Sequence, residues 1–149
     1  MRLEDEIVQK KFMNEAHKLG INITYTFNWI YAFQAGLLKK YKLTPQQYNV
    51  LRILRGQYPN IANIKLVRER MLDKMSDASR IVEKLRSKGL LEREISVNDR
   101  RSCDVTITDK GMELLALIDK EDVSFEKLFH HLNPEQMKQL NDLLDAMRG

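Results

Sequence analysis

From Cys103 to Thr108 apolar and polar side chains alternate strictly, with Cys103, Val105 and Ile107 on one face. A period of two would scatter those side chains around a helix, so the stretch must be a strand with one face buried. A strand needs a partner for its backbone groups, and the suitable neighbour is Leu90-Leu91-Glu92-Arg93-Glu94-Ile95 just upstream. Between them lies a polar tip, Ser96-Val97-Asn98-Asp99-Arg100-Arg101-Ser102. The expected result is a β-hairpin with a long charged loop, and no other strand pair is expected in the chain.

Helical periodicity governs the remainder. Val8, Phe12, Ala16, Leu19, Ile23, Phe27, Ile30, Leu37 and Tyr41 recur at steps of three, four or seven, which keeps them on one helical face. The first forty residues read as one long helix, or as two broken near Gly20-Ile21-Asn22. Either is longer than a compact domain needs, so part of the stripe is expected to pack on something outside it, most simply a second copy of the chain. Thr44-Pro45-Gln46-Gln47 opens the next helix with an N-cap, a proline in the first turn and a glutamine able to complete a capping box. That helix carries Tyr48, Leu51 and Leu54 and is expected to close at Gly56. Pro59-Asn60 then turns the chain into a short helix with Ile64, Val67 and Met71. Asp73 is expected to cap the one after it, which buries Met75, Ala78, Val82 and Leu85 and stops at Gly89. Beyond the hairpin, Thr108 is placed to cap a helix carrying Leu114, Leu115, Ile118, Phe125 and Phe129. Asn133-Pro134-Glu135-Gln136 opens a last helix with Met137, Leu140, Leu144 and Met147 in step.

This order defines a mainly α chain, and 149 residues with 43% hydrophobic side chains suit a single domain with one core. Cys103 is the one cysteine, so no internal disulfide can form. With His17, His130 and His131 it offers no metal-ligand spacing, and neither a metal nor another cofactor is expected. The acidic start, Met1-Arg2-Leu3-Glu4-Asp5-Glu6, lacks the apolar run of a secretory signal, and no stretch approaches the roughly 20 apolar residues of a membrane span. A cytoplasmic protein away from membranes is expected. Charge is unevenly spread: from Lys39 to Lys110 there are 17 Lys and Arg against 9 Asp and Glu, while the flanks hold 8 basic and 12 acidic residues. A basic centre between acidic ends is what a polyanion-binding module on a separate scaffold would carry.

Two short helices joined by a tight turn and followed directly by a hairpin make a winged helix-turn-helix arrangement. Such a unit suits duplex DNA, whose major groove is about 12 Å wide and accepts one helix while an extended loop reaches the neighbouring minor groove. The segment from Asp73 to Lys88 is the candidate recognition helix. Lys74, Ser76, Asp77, Ser79, Arg80 and Lys84 are its candidate contacts, with Ser76, Ser79 and Arg80 nearest the bases and Lys84, Arg86 and Lys88 on phosphates or in water. At the hairpin tip, Arg100 and Arg101 put two guanidiniums where no folding requirement calls for them, and Asp99 can orient one of them through a charge-assisted bond.

The run from Asp73 to Leu91, the Asp99-Arg100-Arg101 tip and the Val105-Thr106-Ile107-Thr108-Asp109-Lys110-Gly111 segment together resemble the MarR family of bacterial regulators, in element order over nearly the whole chain. The resemblance implies dimerisation helices at about 1–40 and 110–149 flanking a winged DNA-binding part at about 41–109. It also implies Arg101 in the minor groove with Asp99 supporting it. The chain departs from the family pattern in Leu72 and Lys74, where a Gly and a Ser often lead into the recognition helix, and in Asp77, where a neutral hydroxyl residue is common.

The resulting expectation is a homodimeric, sequence-specific transcriptional regulator of double-stranded DNA, acting as a repressor and released by a small ligand. An aromatic ligand would lie in a cleft between dimer and DNA-binding parts, lined by Trp29, Tyr25, Tyr31, Phe33 and His17 of the first helix. Cys103 reads as a small core residue, and His130-His131 as residues favoured by a helix end. The rival from another class is a winged helix that docks on protein. An enzyme fits less well, because no nucleophile is paired with a base and there is no phosphate-binding glycine loop or carboxylate dyad.

Overall fold

A computed structural model describes residues 1–96, 103–120 and 125–149, and for residues 125 and 126 the backbone only. Its elements in order are α1 (Leu3–Glu6), α2 (Glu15–Leu38), a 3-10 turn (Lys39–Tyr41), α3 (Pro45–Gln57), β1 (Ala62–Asn63), α4 (Ile64–Arg70), α5 (Ala78–Ser87), β2 (Leu91–Ile95), β3 (Cys103–Ile107), α6 (Asp109–Lys120), α7 (Phe125–Leu128) and α8 (Pro134–Arg148). The core is one cluster drawn from the winged part: Val50, Leu51 and Leu54 of α3, Val67 of α4, Val82 and Leu85 of α5, Leu91 and Val105 of the strands, and Leu115 and Ile118 of α6.

The expected hairpin forms, with Leu91 opposite Ile107, Arg93 opposite Val105 and Ile95 opposite Cys103. Val105 and Ile107 point into the core, while Cys103 at the outer end is only half-buried. A third strand was not expected. Ala62 and Asn63 pair antiparallel with Val105 and Asp104, giving the sheet order β1-β3-β2. Asn63 then serves as N-cap of α4, accepting from the Leu66 amide at 2.8 Å. The helix-turn-helix is thereby stitched to the base of the wing.

Several local signals hold and others do not. Capping boxes form at Thr44 with Gln47 and at Asn133 with Gln136. Gly89 adopts φ +70 after α5, the conformation that favours glycine. Gly56, expected to end α3, lies inside it; the helix runs to Gln57, and a cis Tyr58–Pro59 bond follows. The long helix begins only at Glu15, where Asn14 accepts from the His17 amide, and passes unbroken through Gly20. Val8, counted in its stripe, is exposed and takes φ 53, so the residues before Asn14 do not continue the helix. Thr108 does cap α6, accepting from the Gly111 amide at 3.1 Å while donating to the Gly89 carbonyl at 2.8 Å. That helix ends at Lys120, so Phe125 and Phe129, assigned to it from the sequence, lie beyond it.

α2 and α8 lie largely outside the core. α8 buries none of its side chains, and Leu38 is the buried residue of α2. Leu19, Phe27, Leu140 and Leu143 stand exposed on them, Leu143 at 68%. No described helix is long and apolar enough to cross a membrane. Among the described residues no group of three or more His, Cys, Asp or Glu is arranged to hold a metal ion.

Candidate nucleic-acid interface

The recognition helix starts later than its sequence suggests. Asp77, not Asp73, is its N-cap, accepting from the Arg80 amide at 3.0 Å, so α5 begins at Ala78. Its buried face is Ala78, Val82 and Leu85, while Met75, expected in that stripe, is 94% exposed. The reason lies in the turn before it. Met71 is buried, and the Asn49 side chain on α3 holds the Leu72 amide at 3.1 Å, which fixes where the chain leaves α4. Asp73 then closes a turn of its own, accepting the Met75 amide on Oδ1 at 3.0 Å and the Ser76 hydroxyl on Oδ2 at 2.6 Å. The Ser76 hydroxyl, with the Met75 amide next, holds the Asp73 carboxyl below the usual carboxylate range.

Asp73 and Asp77 are therefore shaping residues in this structure, two carboxylates that terminate successive pieces of backbone. The expected contact Lys74 is exposed, but its ammonium is bonded to the Glu69 carbonyl. Ser76, Asp77, Arg80 and Lys84 line one outward cleft with Thr44, Gln46, Gln47 and Ile81. Ser79 is exposed beside them. The side chains of Arg80 and Lys84 meet no hydrogen-bond or ion-pair partner among the described residues, so two cations on one exposed face remain uncommitted.

Other basic residues of the segment are spoken for. Arg86 clasps Glu83 through Nε at 3.1 Å and Nη2 at 2.7 Å, and Arg93 of β2 stands 3.8 Å from the same carboxylate. That clasp, with the Arg86 bond foremost, keeps the Glu83 carboxyl below its ordinary range and ties α5 to the wing. Lys88, expected on phosphate or in water, is half-buried and donates to the Lys42 carbonyl and to Gln47 Oε1 at 3.2 Å, so it joins the end of α5 to α3. Asp99, Arg100 and Arg101 at the wing tip lie outside the described residues.

The residues expected to line one ligand cleft, His17, Tyr25, Trp29, Tyr31 and Phe33, are not brought together in a single cleft. His17 and Tyr25 border a groove with Ile7, Gly20 and Thr24; Trp29 and Tyr25 border another with Leu3, Glu6 and His131. The Tyr25 hydroxyl donates to Glu6 at 2.7 Å, which raises its pKa, and His17 Nδ1 accepts from the Met13 amide at 3.2 Å. A cavity of about 400 Å³ lies instead where α2 meets α3 and the turn before α5. Phe27 and Tyr31, Gln46 and Asn49, and Leu72 and Asp73 line it, and the Tyr31 hydroxyl donates to Gln46 Oε1 at 3.3 Å. Gln46 and Asn49 were missed by sequence reasoning. Their spacing of three on a capped helix puts both on one side, but only the tertiary fold turns that side toward the cavity.

A helix-turn-helix with a hairpin packed at its exit, and free cations on the exposed face of its second helix, is a winged helix-turn-helix protein. Residues 43–103 match the model of the MarR family. An HTH-type transcriptional regulator of Bacillus subtilis (strain 168), YkoM, is 29% identical over 107 residues, 71% of this chain and 68% of that protein. Two solved structures share the fold. The E. coli MarR mutant complexed with operator DNA has TM-score 0.80 at 21% identity, over 93% of this chain and 99% of that one. The organohalide-sensing regulator RdhR-CbdbA1625, solved in its 2,4-dichlorophenol-bound form, has TM-score 0.81 at 16% identity, over 91% of this chain and 80% of that one. The winged part of the chain thus matches the MarR family model, and its fold is that of these winged helix-turn-helix structures.

Proposed function

We propose that this protein is a cytoplasmic repressor without catalytic activity, a homodimer that binds a pseudo-palindromic double-stranded DNA site. The observation that carries the reading is the exposed face of α5, where Arg80 and Lys84 stand uncommitted beside Ser76 and Ser79. In a major groove the N-terminal residues of such a helix meet base edges and the later ones meet phosphates. Arg101 at the wing tip would enter the adjacent minor groove, with Arg100 on the backbone and Asp99 orienting a guanidinium. The structural neighbour solved on operator DNA supports the same docking for this chain.

What the single chain leaves uncovered supports dimerisation. Leu140, Leu143 and Met147 on α8, with Leu19 and Phe27 on α2, expose apolar surface on two helices that contribute little to the core. Each square ångström covered by a second copy gains about 25 cal/mol. The dimer would present two α5 helices to half-sites roughly one helical turn apart. A small aromatic ligand in the cavity behind Tyr31 would alter the angle between the winged parts and so weaken simultaneous contact. The dichlorophenol bound by a structural neighbour is a ligand of that chemistry.

Selection of fragments from genomic DNA, followed by affinity measurements across a salt series, tests the proposal. Operator affinity should fall linearly on logarithmic axes as salt rises and exceed non-specific affinity by about a thousandfold or more. Arg101→Ala and Arg80→Ala should each weaken operator binding about tenfold. Failure to bind any duplex at low salt would refute the reading and leave a winged helix that docks on protein.

A further inference from the structure

The polarity of Ser76 is set before any partner arrives. Its hydroxyl donates to Asp73 Oδ2 at 2.6 Å, and the other carboxylate oxygen is occupied by the Met75 amide. Asp73, held below the usual carboxylate range by these bonds, is ionised at neutral pH and can only accept. A serine hydroxyl owns one proton and two acceptor positions. With the proton directed to Asp73, acceptor capacity is what Ser76 retains where it lines the outward cleft with Asp77, Arg80 and Lys84.

We propose that Ser76 reads a base edge as a pure acceptor, and that Asp73 is the positioning residue that fixes this polarity without touching DNA. The inference rests on the reading that α5 enters a major groove. Donors in that groove are the exocyclic amines, N6 of adenine and N4 of cytosine, whereas O6 and N7 of guanine and O4 of thymine only accept. Ser76 therefore selects adenine or cytosine at the base it faces and disfavours guanine and thymine there. Had its proton been free, a rotating hydroxyl would have accepted all four.

Base preferences measured for the wild type, Ser76→Ala and Asp73→Asn on a complete set of single-base operator variants test this. Wild type should favour adenine or cytosine by about five- to tenfold at one position in each half-site, and Ser76→Ala should flatten that position alone. Asparagine at 73 keeps an oxygen for the Met75 amide and turns its amine toward Ser76, which releases the hydroxyl to donate. Guanine or thymine should then be accepted at the same position, with preferences elsewhere unchanged. A purely structural role for Asp73 would instead weaken every variant operator by the same factor. That result overturns the inference, as does a Ser76-dependent position that prefers guanine or thymine, or a Ser76→Ala protein with the wild-type profile. Thermal melts of both variants establish that each is folded. A wild type that selects no sequence at all removes the groove-binding reading itself, and with it this inference.

Discussion

Gly111 stands in the first turn of α6, against the base of the wing, and a methyl group there should cost more than any surface change nearby. A Cβ at this position would lie 2.3 Å from the Leu90 carbonyl oxygen and 2.8 Å from Ile107 Cγ1, closer than real Cβ atoms come. Neither neighbour is free to retreat. The Leu90 carbonyl accepts from the Thr108 amide at 3.2 Å, the Leu90 amide donates to Leu85, and Ile107 is buried in the core. Overpacking of this kind costs about 1–3 kcal/mol, and weakening the Thr108 bond adds about 1 kcal/mol. Alanine returns up to about 1 kcal/mol through helix propensity. The net expectation for Gly111→Ala is a loss of about 2 kcal/mol, which for a chain of this length lowers Tm by about 4–8 °C. Differential scanning calorimetry at fixed protein concentration measures it. Because Leu90 and Ile107 also anchor β2 and β3, operator affinity below the melt should fall as well. A Tm at or above that of the wild type would refute the steric reasoning.

Three further outcomes are expected. Asp77→Ala should destabilise the protein by about 1 kcal/mol through loss of the N-cap, and Asp77→Asn should restore most of it; chemical denaturation separates this from a base contact, which would shift sequence preference instead. Leu143→Glu combined with Leu140→Glu should give a monomer by sedimentation, with the winged part still folded because α8 buries nothing in the core; a variant that stays dimeric would place the interface elsewhere. Asp73 and Glu83 have carboxyls depressed in the folded state, so their bonds stabilise above the ordinary carboxylate range and that stability is lost as pH falls through the depressed values. Melts in acid should therefore show a decline that Asp73→Asn reduces.

Signals that depend on a few adjacent residues were legible in the sequence. Thr44 with Gln47, Asn133 with Gln136, the two strands of the hairpin and the stop at Gly89 are each set by local sequence, and the structure repeats them. The start of α5 was not legible, because Asp73 and Asp77 are equally good caps. The choice between them is made by buried Met71 and by Asn49, which lies 23 residues away. β1 escaped for a different reason: two residues carry no period, and only the edge of β3 makes them a strand. The free cations Arg80 and Lys84 were found from their place on an amphipathic helix. That Lys88 is half-buried against the Lys42 carbonyl and Gln47 depends on a contact whose position the linear order does not reveal.

Gln46 lines both the cavity beside α2 and the outward cleft beside α5, so one residue of α3 belongs to two surfaces. A guest bonding Gln46 from the cavity side would compete with Tyr31 for its acceptor oxygen, at a residue that also lines the outward cleft. On the function proposed above, ligand sensing and base reading would meet at a single residue of α3.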